Sequence, residues 1–259
     1  MGFAMLAGWM ASEQPPEAYV VEPFEGFRTR AEGVGAQAFA SVADLPEGLA
    51  PALVILAVKP QMVTPVLAEF AALAATGATF VSVAAGITMP TMAAALPDGA
   101  ALIRCMPNTP AAVGQGMMVL CAGATASDAA KALTETLLAT SGAVAWVDDE
   151  SLMDAVTAIS GSGPAYIFHF IEALTAAGEA LGLPSDTAAL LAMQTVAGAG
   201  RYAQLSEASP TTLREQVTSP NGTTEAALRV FMTDNRLTDL VKAATTAARD
   251  RGIELGKGA

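Results

Sequence analysis

Apolar residues fall into two patterns along this chain, and the change comes near its middle. Up to about residue 149, short continuous apolar runs of strand length recur. Ala52 to Val58 (ALVILAV) is the clearest; Ala18 to Val21, Thr79 to Ala84, Ala101 to Met106, Met117 to Cys121 and Ala143 to Val147 are of the same kind. Helical segments separate several of them, at Met62 to Ala75, Met89 to Ala95 and Asp128 to Thr140. Strands without a polar face are buried on both sides, and their alternation with helices predicts a parallel sheet covered by crossover helices. The expected fold class is α/β: a doubly wound, Rossmann-type domain over residues 1–149, with ligands at the carboxyl ends of its strands.

Beyond Asp149 the strand runs stop. Ser151 to Ile159, Pro164 to Leu181, Ser185 to Leu205, Thr211 to Val217, Thr223 to Phe231 and Leu237 to Glu254 all carry helical patterning. The punctuation agrees. Gly182-Leu183-Pro184 ends one helix, Ser185 or Asp186 can cap the next, and Ser209-Pro210 opens another. Residues 150–259 are therefore expected to form an all-helical domain. The stretch Ala188 to Gly200 has so few charges that burial in a homodimer interface is the simplest account of it.

Composition narrows the function classes. A chain of 259 residues, 53% hydrophobic, can fill one large domain or two ordinary ones. A net charge of −12 argues against non-specific binding to nucleic acid or to an anionic membrane; the small basic cluster Arg28 with Arg30 reads as a solvated helix face. The nearest approach to a membrane span, Val66 to Ile87, is broken by Glu69 and by Thr76-Gly77. The first residues lack the basic charge of a secretory leader. A cytoplasmic protein with reduced Cys105 and Cys121 is the expectation, and those two cysteines have no metal-site spacing. The one histidine, His169, excludes a zinc site built on several histidines. It lies inside a helical run with no nucleophile-elbow pattern elsewhere, so a structural or surface role is expected.

One segment carries candidate chemistry by itself. Ser219-Pro220-Asn221-Gly222-Thr223-Thr224 is a tight turn that opens directly into the helix from Thr223. Free N–H groups at a helix start donate to an anion, Pro220 fixes a backbone angle, and Gly222 lets the backbone approach a ligand. Taken alone, such a turn is more often an ordinary capped helix start than a ligand site.

Several segments, in order, then carry a resemblance. They are Ala57-Val58-Lys59-Pro60-Gln61, Val83-Ala84-Ala85-Gly86-Ile87, Arg104-Cys105-Met106-Pro107-Asn108-Thr109-Pro110, Ser160-Gly161-Ser162-Gly163-Pro164-Ala165-Tyr166, and the run from Leu213 to Phe231. Together they resemble the pyrroline-5-carboxylate reductase family across nearly the whole chain. The resemblance implies a dinucleotide domain followed by a helical dimerisation domain, and a homodimer or a higher oligomer of dimers. It implies reduction of the cyclic imine 1-pyrroline-5-carboxylate to L-proline, hydride passing from the nicotinamide of NADP or NAD to the imine carbon. The protein's task is then to bring two carbons into near-attack contact and to balance the substrate carboxylate, with no covalent nucleophile and no metal.

The resemblance also implies roles. The backbone of Asn221, Gly222 and Thr223 cradles the substrate carboxylate, and the Thr224 hydroxyl faces the ring nitrogen as the catalytic contact. Glu150 matches a substrate-contacting acidic position; read from its place in the sequence alone, it is a first-turn helix acid. Ser219 belongs to the substrate set and, with Gln216, approaches the reduced cofactor across the dimer. Glu207 is a candidate acid behind the site, though it reads more readily as an exposed surface acid. On the cofactor side stand Val58, Lys59 and Pro60 after the strand ALVILAV, Ala85 after the next strand, Asn108 after another, and Gly2 at the head of the first helix. Glu22 follows the strand Ala18 to Val21, where an acid accepts from the adenosine ribose 2′-OH; this leans towards NADH, with Arg28 and Arg30 partly offsetting its repulsion of a 2′-phosphate.

The family begins with a strand and a G-x-G-x-M-G loop, of which Met1-Gly2-Phe3-Ala4-Met5-Leu6 matches only the end. In the doubly wound order that strand is central. Without it, its neighbours are expected to stand about 10 Å apart, each unpaired backbone group costing roughly 1–3 kcal/mol. The expectation is that Met1 is an internal methionine of a longer protein. Two other readings remain at this point: a reductase of another cyclic imine, and a catalytically silent, truncated ligand-binding dimer.

Overall fold

The computed structural model describes residues 1–257. The chain divides into two compact units, residues 1–162 joined by the described residues from 248 onward, and residues 163–247. The first unit contains α1 (Gly2–Met10), β1 (Tyr19–Val21), α2 (Glu25–Glu32), β2 (Gln37–Phe39), β3 (Leu53–Leu56), α3 (Val63–Phe70), β4 (Thr79–Ser82), α4 (Met89–Ala93), β5 (Ala101–Met106), β6 (Gly116–Ala122), α5 (Asp128–Ala139), β7 (Gly142–Trp146) and α6 (Met153–Val156). A π-helical turn, Thr157–Gly161, follows α6. The single helix expected from Ser151 to Ile159 is thus a 3₁₀ turn, one turn of α-helix and a π turn.

Strands β3, β4 and β5 pair in parallel, as continuous apolar runs require, and β7 is parallel to β6. The expectation of a wholly parallel sheet fails at one place: β6 runs antiparallel to β5, Arg104 facing Cys121 and Cys105 facing Leu120. Only residues 107–115 join these strands, with a 3₁₀ turn at Thr109–Val113. That is too short for a crossover, which needs a dozen residues or more, so the chain turns back.

Two cores result, one on each face. Met5, Leu6 and Trp9 of α1 pack with Val81, Ile103, Cys105, Met118, Leu120 and Leu138. On the opposite face Val54, Leu56, Phe80 and Leu102 meet Val63, Leu67 and Met92. Neighbouring residues Phe80 and Val81 therefore go to different cores, each almost fully buried. Each such side chain contributes about 1.5–3 kcal/mol through its burial.

Strands β1 and β2 form a separate parallel pair, and the other five strands form their own sheet. Val20 of β1 and Leu53 and Ile55 of β3 lean on the same apolar cluster, yet no ladder joins these two strands. Strand β2 carries no apolar run and was not foreseen.

The second unit holds α7 (Gly163–Ala180), α8 (Ser185–Leu205), α9 (Pro210–Gln216), α10 (Thr223–Met232) and the first part of α11 (Arg236–Lys257). Its helices are as the sequence predicts within one to three residues at each end. Among its described residues only Ala188 and Ala192 are buried. Phe168, Leu190, Leu191, Phe231 and Leu240 are exposed. The last turns of α11 belong to the first unit: a Cβ on Gly252 would lie 3.0 Å from Asp154 Oδ1, and one on Gly256 would lie 3.2 Å from the Gly86 carbonyl.

Candidate active site

The turn between α9 and α10 has the geometry its residues dictate. The Gly222 N–H donates to the Ser219 carbonyl at 3.0 Å, closing a turn in which Asn221 is left-handed at φ 59°. A Cβ on Gly222 would stand 3.0 Å from the Ser219 oxygen, so glycine fits and a larger residue crowds. Gly222 is the N-cap of α10 and offers no side chain. No acceptor among the described residues takes the N–H groups of Thr223 and Thr224. This leaves two donors at the positive end of a helix dipole, the arrangement that binds carboxylates. Thr224 is half-buried, while Ser219, Asn221, Thr223 and Gln216 are exposed.

Glu225 is a participant that the sequence reading missed. Its Oε2 accepts the Asn221 N–H, and its Oε1 lies 3.6 Å from Arg229 Nη2. The signal was present: an acid at the third helical position reaches back past the cap, as in a capping box. The Asn221 N–H is therefore already engaged, and the open donors of this turn are those of Thr223 and Thr224.

In the first unit the expected cofactor residues gather at strand ends. Ala57, Val58, Lys59 and Pro60 leave the carboxyl end of β3 and are exposed; Ala85 leaves β4 and is also exposed. Gly2 opens α1 against β3, where a Cβ would come within 2.8 Å of the Ala57 Cβ. The N–H groups of Gly2, Phe3 and Ala4 have no acceptor among the described residues. A helix start with free donors, pressed by glycine against the carboxyl end of a parallel strand, fits a dinucleotide pyrophosphate.

Glu22 follows β1 and is half-buried; its Oε1 accepts the Phe24 N–H at 3.0 Å. Arg28 donates from Nη1 to the carbonyls of Glu22 at 2.9 Å and Pro23 at 2.8 Å, so one guanidinium stands at this turn. Arg30 is instead stacked over the Phe3 ring, 3.7 Å from its centre. Of the two arginines, Arg28 is the one at the Glu22 turn.

Two expected residues have strong protein partners. Asn108 accepts the Met117 N–H on Oδ1 at 2.9 Å and donates from Nδ2 to the Ser160 carbonyl at 3.0 Å, which leaves one amide hydrogen uncommitted. Glu150 Oε1 accepts from Arg104 Nη1 at 2.6 Å and from the Met89 N–H at 2.7 Å. Arg104 was read only as part of a motif, and no sequence signal paired it with Glu150. His169 is exposed, 3.0 Å from Glu172 Oε2 on the same helix, and Glu207 is exposed. Burial pushes the Cys105 thiol up to about 12, and it raises Cys121 as well. Neither thiol is ionised near neutrality.

Comparison with known proteins covers both units. The family profile "Pyrroline-5-carboxylate reductase dimerisation" matches residues 150–255. A pyrroline-5-carboxylate reductase from Pseudomonas aeruginosa is 42% identical over 98% of this chain and 93% of its own length. One from Haemophilus influenzae is 36% identical over 89% of this chain and 85% of its own. Among solved structures, the Coxiella burnetii pyrroline-5-carboxylate reductase superposes with a TM-score of 0.92 at 36% identity, covering 98% of this chain and 94% of that one. The Plasmodium falciparum enzyme, solved with NADP bound, gives 0.82 at 25% identity, covering 99% and 94%. Among the described residues no helix is long and apolar enough to cross a membrane.

Proposed function

This chain belongs to the pyrroline-5-carboxylate reductase family, and from that membership we infer how its residues divide the work. It is an oxidoreductase of proline biosynthesis, reducing 1-pyrroline-5-carboxylate to L-proline with NAD(P)H. A bound nicotinamide supplies the hydride that adds to the imine carbon.

The observation that carries the residue assignment is the turn Ser219–Thr224. The substrate carboxylate is held by the free N–H groups of Thr223 and Thr224, with Ser219, Asn221 and Gly222 shaping the rim. Glu225 occupies the Asn221 N–H and carries a like charge, so Arg229 beside it tempers the repulsion. The Thr224 hydroxyl orients the ring nitrogen. In the first unit, the α1 start at Gly2 takes the pyrophosphate, and the exposed residues Val58, Lys59, Pro60 and Ala85 border the crevice, with the spare amide hydrogen of Asn108 beside them. Gln216 approaches the cofactor from the partner subunit of a homodimer, and the protein works in the cytoplasm. Glu22 favours NADH by accepting from the ribose hydroxyls; Arg28, fixed at the same turn, keeps NADPH usable.

The test is oxidation of NADH and NADPH at 340 nm with 1-pyrroline-5-carboxylate. The proposal expects turnover with both and a kcat/KM for NADH at least comparable to that for NADPH. A strong preference for NADPH removes Glu22 from cofactor choice. No turnover with either counts against the reductase reading of this chain.

A further inference from the structure

The carboxylate of Glu150 is bound in a way that its resemblance-based role does not use. One oxygen, Oε1, receives both the Arg104 guanidinium at 2.6 Å and the Met89 backbone N–H at 2.7 Å. The three groups come from separate parts of the chain. Arg104 lies in the middle of β5, between Ser82 of β4 and Cys121 of β6, and is 7% exposed. Met89 is the first residue of α4 and closes the turn Ala84–Thr88 that leaves the carboxyl end of β4. Its N–H is a first-turn donor that the helix itself does not satisfy; the cap residue Thr88 takes the Thr91 N–H instead. Among the described residues Glu150 is the only acid paired with Arg104.

An arginine buried in a sheet needs an anion, and charge-assisted bonds of this kind are short and directional. By answering Arg104, Glu150 is pinned to the sheet; by accepting from Met89, it pins the turn after β4 to the same point. The turn thus fixed contains Ala85, at the strand end where a doubly wound sheet binds its dinucleotide. We propose that Glu150 and Arg104 form a clasp that positions the Ala84–Thr88 turn for the cofactor, so that the pair sets cofactor affinity and Glu150 does not contact the substrate. Both are positioning residues. The inference rests on the reading that this turn borders the cofactor crevice.

Three variants of the full chain test it: Glu150→Ala, which removes both bonds; Arg104→Met, which leaves the carboxylate without its cation; and Arg104→Met with Glu150→Gln, which is neutral and keeps an acceptor for Met89. NADPH affinity is measured by calorimetry, and amide exchange of the 84–92 segment by mass spectrometry without cofactor. Each single variant is expected to raise the Kd for NADPH about tenfold, equivalent to about 1.4 kcal/mol, and to speed exchange in the segment. The paired variant is expected to recover both. The KM for 1-pyrroline-5-carboxylate at saturating cofactor stays within about twofold, because uniform substrate binding is untouched. A raised substrate KM with unchanged Kd and exchange in Glu150→Ala overturns the proposal, as does faster exchange with unchanged Kd. If Arg104→Met does not fold, Glu150→Ala decides alone. Binding and exchange need no turnover, so absence of reductase activity in the parent chain would count against the functional reading and leave the clasp measurable.

Discussion

At the scale of single residues, the turn Ser219–Thr224 sets a threonine apart from its neighbouring glutamate. Thr224 offers a half-buried hydroxyl with no side-chain partner among the described residues, whereas Glu225 is spent on the turn itself. Thr224→Ala is therefore expected to lower kcat about fivefold, the effect of one hydrogen bond of about 1 kcal/mol made in the transition state, with little change in melting temperature. Steady-state kinetics and a thermal melt check both halves, and unchanged kinetics removes Thr224 from the mechanism. The cysteines make a contrasting case. Cys105 is held near 12, well above the ordinary value of 9.0. Its raised folded value means that stability is intact below about pH 9 and declines as pH rises above it, because only the unfolded chain then ionises the thiol. Titration with a thiol reagent at pH 8 should label neither Cys105 nor Cys121 in the native chain, and both once it is unfolded in denaturant. Rapid native labelling would show that the interior of the sheet opens readily.

At the scale of elements, the junction of β6 and β7 is the most constrained place in the sheet. Gly142 has φ 149°, and a Cβ there would fall 2.0 Å from the Gly116 carbonyl oxygen, a backbone atom that cannot swing aside. Gly142→Ala is expected to cost about 3 kcal/mol, at the upper end of overpacking effects, measured as a shift in the urea midpoint. A shift of less than about 1 kcal/mol means the strands part easily there. How well such elements could be read in advance followed from their physics. The runs ALVILAV and ALIRCM became β3 and β5 because strands buried on both faces carry few polar positions to confuse the pattern, Arg104 being the one charge in either. Strand β2, Gln37–Phe39, has only three residues and a polar start, too short to show a period. The reversal at β6 depends on the length of the 107–115 link rather than on any residue type. The turn Ser219–Thr224 was legible because Pro, Asn and Gly restrict the backbone locally. The Arg104–Glu150 pair was not, since it joins residues 46 apart through the fold alone.

At the scale of the whole molecule, the helical unit presents an imbalance. Only two alanines of residues 163–247 are buried, while Leu190 is 68% and Phe168 58% exposed. Helices of this kind complete their core against another copy, as the dimerisation profile over residues 150–255 suggests. Sedimentation at micromolar concentration should give a dimer, and Leu190→Asp should shift it to monomer with loss of helical stability; a dimer unperturbed by that charge places the interface elsewhere. The chain path adds something different. Unit 1 is left at residue 162 and rejoined near residue 248, where the end of α11 reaches Asp154 and the Gly86 turn. Proteins emerge from the ribosome in sequence order. The α/β layers are therefore synthesised early but must wait for the whole of residues 163–247, roughly ten seconds at common elongation rates, before the piece that covers the β4 turn exists. The order of synthesis thus makes the first unit the last to be closed, with the turn after β4 uncovered until the second unit has left the ribosome.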